Sequence, residues 1–323
     1  MKQISVIILF LLIALKSFAW GFWAHKRINR MAVFTLRDDL FTFYKENIEY
    51  LTEHAVDPDK RRYAVDGEAP RHYIDLDHYC TYPCDSFPKK WYQAVEKYSE
   101  DTLKTYGIVP WIIEWKMKSL TQAFEEGDKK KILKYSADIG HYIADSHVPL
   151  HTTENYNGQL TNQYGIHGFW ESRLPELFNE DYNYFVGKCQ YIENKNEFIW
   201  ANVLNAHSKL DEVLLLEKQL DKEIPSDQKY SFEPRGETLV KTFSATYSSA
   251  YNEKLNGMVE EQLLLSVKHV GDIWYTCWVE AGMPNLTNLG ESNWEDEEYK
   301  LMIENAGKVK SRPHAETGLD SVE

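Results

Sequence analysis

The chain is short of cysteine, of net positive charge and of long apolar runs. It has four cysteines in 323 residues and no Cys-x2-Cys pair, which excludes a cysteine-held zinc site and a cystine-rich scaffold. Thirty-six Lys and Arg stand against 50 Asp and Glu, a formal charge of −14. That balance excludes a polyanion binder working through a broad basic surface. No alternation of apolar and polar residues is long enough to predict a sheet, and repeats, Gly/Ser linkers and low-complexity blocks are missing. After residue 15 no long apolar run recurs, so no transmembrane segment is predicted.

What is present is globular: 43% hydrophobic and 14% aromatic residues. Lys2 precedes an apolar run over 4–15, and Lys16-Ser17-Phe18-Ala19 follows with small residues suited to a cut after Ala19. This predicts a signal peptide over 1–19 and a secreted or periplasmic product. Its removal leaves 304 residues beginning at Trp20 and, with Lys2 and Lys16 gone, takes the charge to −16. The remainder reads as all-α, one helical domain over 20–303 with a frayed tail at 304–323. Helical periodicity predicts helices over 28–36, 40–51, 88–106, 110–126, 128–149, 196–220, 237–255 and 258–281. Residues 150–195, rich in Asn, Gly and Tyr, read as a long functional excursion. The cysteines fit an oxidising compartment: Cys80 with Cys84 would close a small loop and Cys189 with Cys277 a long tether, among three possible connectivities.

Eleven histidines are the first sign of chemistry, since imidazole is the commonest metal ligand. His141 and Asp145 are four apart on a predicted helix and share a face. His167 and Glu171 repeat that spacing, and His151 lies between the pairs in a polar stretch. Upstream stand Asp57 and His72, fifteen residues apart, and His25 follows Trp20 by five. If Trp20 becomes the first residue, its free α-amine and carbonyl can chelate a metal. His147, two residues beyond Asp145, is predicted to point away from the site.

In that order, Trp20, His25, Asp57, His72, His141, Asp145, His151, His167 and Glu171 resemble the superfamily joining zinc-dependent phospholipase C to the S1/P1-type nucleases. The resemblance implies a helical fold with three Zn²⁺. The first ion would be held by Asp57, His72, His141 and Asp145, and the second by His151, His167 and Glu171. The third would be held by the Trp20 amine and carbonyl, His25 and a bridging Asp145. It implies phosphodiester hydrolysis by a zinc-activated hydroxide, with Asp75 orienting or deprotonating the water and Lys60 touching the phosphate. It implies no protein partner. The short Trp20–His25 gap and the Asp57–His72 gap resemble the nucleases; Glu171 and the short His151–His167 gap resemble the phospholipases. The favoured expectation is a nuclease acting on single-stranded nucleic acid or nucleotides. The alternative is a phospholipase C acting on phospholipid head groups. A non-catalytic secreted zinc-binding protein is the reading from another class.

Overall fold

A computed structural model of the chain describes residues 21–305, apart from 63, 236, 237, 288 and 291. The predicted signal peptide, Trp20 and residues 306–323 of the predicted tail lie outside the described residues. Among the described residues no helix is long and apolar enough to cross a membrane.

The elements that place the site are α1 (Phe22–Ala32), α2 (Asp57–Arg61), α3 (Val109–Glu126), α4 (Lys129–Asp145), α5 (Lys195–Ser208), a hairpin of β1 (Tyr230–Arg235) and β2 (Thr238–Phe243), α6 (Met258–Glu280) and α7 (Glu297–Glu304). The central element is α4, buried from Ile132 to Asp145 except at Tyr135. It begins where expected: Gly127 takes φ +65°, ending α3, and Asp128 accepts the Lys130 and Lys131 amides at 3.1 and 3.2 Å.

A helix buried on nearly every side needs apolar neighbours all round. α1, α3 and α6 pack against it, through Ile28 and Ala32, Ile113 and Leu120, and Val267, Val270 and Trp274. Each such fully buried side chain contributes about 1.5–3 kcal/mol of transfer free energy. The Trp274 indole N–H also donates to the Ser136 carbonyl at 3.0 Å, which fixes the rotation of α6 over α4.

One close approach matters for the site. A Cβ on Gly140 would lie 2.0 Å from Asn29 Oδ1. The missing side chain lets α1 sit against α4, with Asn29 Nδ2 donating to the Ala137 carbonyl at 3.1 Å. That contact brings His25 of α1 beside His141 of α4, with ring centroids 3.8 Å apart.

The all-α expectation holds, with several departures from the predicted elements. The helices predicted over 40–51 and 88–106 are each two, Asp38–Glu46 with Ile48–Glu53 and Trp91–Tyr98 with Glu100–Tyr106, parted at Asn47 and at Ser99, which takes φ +70°. The helix predicted over 237–255 begins only at Ala245, capped by Ser244; residues before it form the hairpin, in register from Tyr230 opposite Phe243 to Arg235 opposite Thr238. The hairpin has a packing cause: the Phe243 ring stacks on Phe169 at 3.9 Å, and its carbonyl accepts from Arg173 at 3.1 Å. Aromatic residues in β1 and β-branched and aromatic residues in β2 were the available signal. The helix predicted over 196–220 is two helices, Lys195–Ser208 and Leu210–Glu223, broken at Lys209. Cys80 and Cys84 are bridged, whereas Cys189 and Cys277 are free and buried.

Candidate metal centre

Three stretches deliver the site. α4 ends on it with His141 and Asp145, one turn apart. Within the excursion after α4, short helical pieces carry the ligands: Pro149–Thr152 carries His151, Ile166–Gly168 carries His167, and Phe169–Arg173 carries Glu171. The segment Ala69–His72 brings in His72.

Around the end of α4, Nδ1 of His72 lies 2.9 Å from Asp145 Oδ2, 3.0 Å from His141 Nε2 and 3.8 Å from Asp59 Oδ1. His141 Nε2 lies 3.2 Å from Asp145 Oδ2 and 3.7 Å from Asp59 Oδ1. Tetrahedral zinc with bonds near 2.0–2.1 Å sets its ligand atoms about 3.4 Å apart. The four atoms bracket that spacing. In a second group, Glu171 Oε2 is 3.4 Å from His151 Nε2 and 3.1 Å from His167 Nε2. The other oxygen of Asp145, Oδ1, turns to His25 Nε2 at 3.4 Å. One carboxylate therefore addresses two neighbourhoods.

The ring nitrogens are sorted by their outward bonds. His141 Nδ1 meets the Ala55 carbonyl at 2.9 Å, so Nδ1 keeps the proton and Nε2 becomes the lone pair once the ring is neutral, as a metal requires. His151 Nδ1 meets the His72 carbonyl at 2.5 Å, with the same result. The Ile74 amide donates back to the His151 carbonyl at 2.9 Å, so the two groups are joined through the main chain.

Buried side-chain atoms without a hydrogen-bond partner gather here: both nitrogens of His25, both oxygens of Asp59 and of Glu171, Asp145 Oδ1, and Nε2 of His72, His151 and His167. Buried polar groups are ordinarily paired, so this concentration marks a place where something else completes them. Imidazole and carboxylate donors suit zinc. Burial opposes charge on His141, but Asp145 and Asp59 outweigh it and raise its pKa to about 9. Burial likewise opposes ionisation of Glu171, but His167 and His151 hold it down to about 2. Asp145 stays well below the usual carboxylate range despite burial, because of His141 and His151. Burial and the nearby His141 lower His25.

Of the expected ligands, His25, His72, His141, Asp145, His151, His167 and Glu171 are brought together, and Trp20 lies outside the described residues. The Gly21 amide donates to Ser172, next to Glu171, at 3.0 Å. Asp57 is not brought in; Asp59 stands in its place. Pro58 fixes the first turn of α2, and residues two apart on a helix point about 200° apart. Only one of the two aspartates can face His72. Asp57 instead holds His54 Nδ1 at 2.6 Å and Lys60 Nζ at 2.8 Å. Lys60 is thus engaged by Asp57. Asp75 is buried three residues beyond His72 and belongs to none of the three groups; its charge acts on Tyr79. His147 points elsewhere, its Nε2 2.8 Å from His269 Nδ1. Asp59→Asn is expected to lower bound metal by about one ion per chain, because it removes one of four ligands. Asp57→Asn should leave the content unchanged. Elemental analysis of desalted protein checks this, and the reverse order would return Asp57 to the site.

No curated protein matches the chain. The family described as zinc dependent phospholipase C matches residues 24–223, which is more than half of the sequence and contains every His and acid of the three groups. With an all-α fold and these His and acid clusters, the chain belongs to the zinc-dependent phospholipase C family, within the phospholipase C/P1 nuclease superfamily.

Proposed function

We propose that the protein is a zinc-dependent phosphodiesterase that hydrolyses the head-group phosphodiester of a phospholipid, using three ions. The identity of the carboxylates supports this reading most. Glu171 meets His151 and His167, the pairing that resembles the phospholipases. The fifteen-residue Asp57–His72 gap that resembled the nucleases is not the spacing of the clustered residues, because Asp59 faces His72. A nuclease is the second reading, favoured by the short Trp20–His25 gap.

Bound zinc supplies positive charge for the phosphate and acidifies a water. The chain's own groups prepare for it. Asp59, Asp145 and Glu171 place one buried carboxylate in each of the three groups, local negative charge that cations neutralise. The Ala55 and His72 carbonyls fix the tautomers of His141 and His151 so that lone pairs face inward. Asp75, held by its amide to the Tyr106 carbonyl at 2.7 Å, is proposed to orient the attacking water with its carboxylate.

The test is a side-by-side assay of purified protein, processed before Trp20, on phosphatidylcholine vesicles, single-stranded DNA and RNA. Diacylglycerol release with intact nucleic acid, falling to background with chelator, is expected. Nucleotide release with intact lipid would establish the second reading instead. Chelator-insensitive hydrolysis would remove the metal mechanism.

A further inference from the structure

Behind His72 lies a buried set of charges with no part in the three groups. Glu68 is fully buried, one helical turn before His72. Its Oε1 accepts from the Tyr142 hydroxyl and faces His72 Nε2 at 3.6 Å. That nitrogen is buried and lacks a hydrogen-bond partner among the described residues, and the carboxylates of Asp145 and Asp59 approach the ring at Nδ1 instead. The other oxygen, Oε2, accepts from Arg71 Nη1 at 2.8 Å and lies 3.5 Å from Arg61 Nε. Arg61 is itself fully buried and pinned to Asp138 through Nη1 and Nη2, each at 3.1 Å. The Arg71 and Arg61 guanidiniums thus flank the carboxylate and fix where it lies.

The set is closed from far along the chain. Glu298 of α7 accepts from Arg71 Nη1 at 2.9 Å and from Lys134 Nζ at 3.0 Å, and lies 3.9 Å from Arg61 Nε. Arg71 Nη1 is therefore shared between Glu68 and Glu298. α7 lies beyond residue 223, outside the segment that the family matches.

We propose that Glu68 is a positioning residue for His72, and that Glu298 holds the guanidinium that holds Glu68. The chemistry is that of a carboxylate paired with the far nitrogen of a ligand imidazole. It accepts a hydrogen bond from the Nε2–H, which keeps the proton on that nitrogen, leaves Nδ1 as the lone pair facing Asp145 and Asp59, and sets the ring's orientation. The 3.6 Å separation is just beyond hydrogen-bond length, so a small rotation of the ring toward Glu68 completes the bond. Without Glu68 the tautomer of His72 is no longer dictated. Without Glu298, Arg71 is free to draw the Glu68 carboxylate away from the ring. This inference rests on Asp59, His72, His141 and Asp145 being a zinc site.

The experiment compares wild type, Glu68→Gln, Glu298→Gln and Asp59→Asn. Zinc affinity is measured by competition with a chromogenic chelator, and the visible absorption of the cobalt-substituted protein is recorded. Circular dichroism of the metal-free forms reports folding. Glu68→Gln is expected to weaken the site by about 10- to 100-fold, the range for losing such an outer partner. Its cobalt spectrum should shift, which a purely structural role would not produce. Glu298→Gln should act in the same direction by a smaller factor. It sits at the outer end of the set, so it decides the matter if Glu68→Gln does not fold. Folded variants with wild-type affinity and unchanged cobalt spectra would overturn the inference alone. Wild type that binds no zinc, or Asp59→Asn that binds as wild type does, would remove the zinc reading and the inference with it.

Discussion

Asp145→Asn is expected to empty more than one metal position and to reduce hydrolysis on the order of 10³-fold, beyond the 10- to 100-fold that follows loss of an outer partner. Asp145 is fully buried, with Oδ2 beside His72 and His141 and Oδ1 beside His25. Asparagine keeps the shape but loses the charge and replaces one oxygen with an amide that cannot ligate. Both neighbourhoods fail at once, whereas Glu171→Gln or Asp59→Asn damages only one. Zinc per chain and rate should therefore fall further in Asp145→Asn than in either single-group variant. A milder loss than Glu171→Gln would refute the shared carboxylate.

Stripping zinc should cost more stability at pH 8.5 than at pH 6.5. In the metal-free protein His141 has a pKa of about 9, above its ordinary 6.5. A raised histidine contributes stability that is complete below its unfolded pKa and is lost as pH rises toward the folded one. The metal-free form therefore weakens between pH 6.5 and 9. Glu171, held at about 2, contributes stability that is present above its unfolded pKa and is lost only as pH falls toward 2, so it is constant across this window. Zinc acts oppositely on His141: it needs the neutral ring, so binding tightens as pH rises. A ligand at a thousand times its Kd adds about 4 kcal/mol, or roughly 10 °C in Tm for a chain of this size. That gap between zinc-loaded and chelated protein should widen by about 5 °C from pH 6.5 to 8.5 in thermal scans. A constant or narrowing gap would show that His141 is not displaced from its proton by metal.

Local rules made much of this site readable. The His141–Asp145 and His167–Glu171 pairs share helical turns, and such pairs are written in the sequence at a fixed offset. The choice between Asp57 and Asp59 was not readable from spacing. It depends on the angular phase of a five-residue helix, and the useful clue was Pro58, with His54 and Lys60 flanking Asp57 as its natural partners. The set behind His72 was out of reach for another reason. Arg71 and Glu298 are 227 residues apart, and no local pattern encodes a meeting at that distance. The hairpin was obscured because residues 237–255 also fit a helical stripe, and the stacking of Phe243 on Phe169 decided between them.

The two hydrogen bonds between the His72 and His151 segments, one from a ring and one from an amide, carry a consequence for how the protein acquires its metal. The ring of His151 is fastened to the His72 carbonyl and the His151 carbonyl to the Ile74 amide, so neither segment can settle without settling the other. An ion that orders one segment would therefore order the other. If the two groups take separate ions, uptake is expected to be concerted: native mass spectrometry at limiting zinc should find empty and filled molecules, and abundant half-filled ones would refute the coupling.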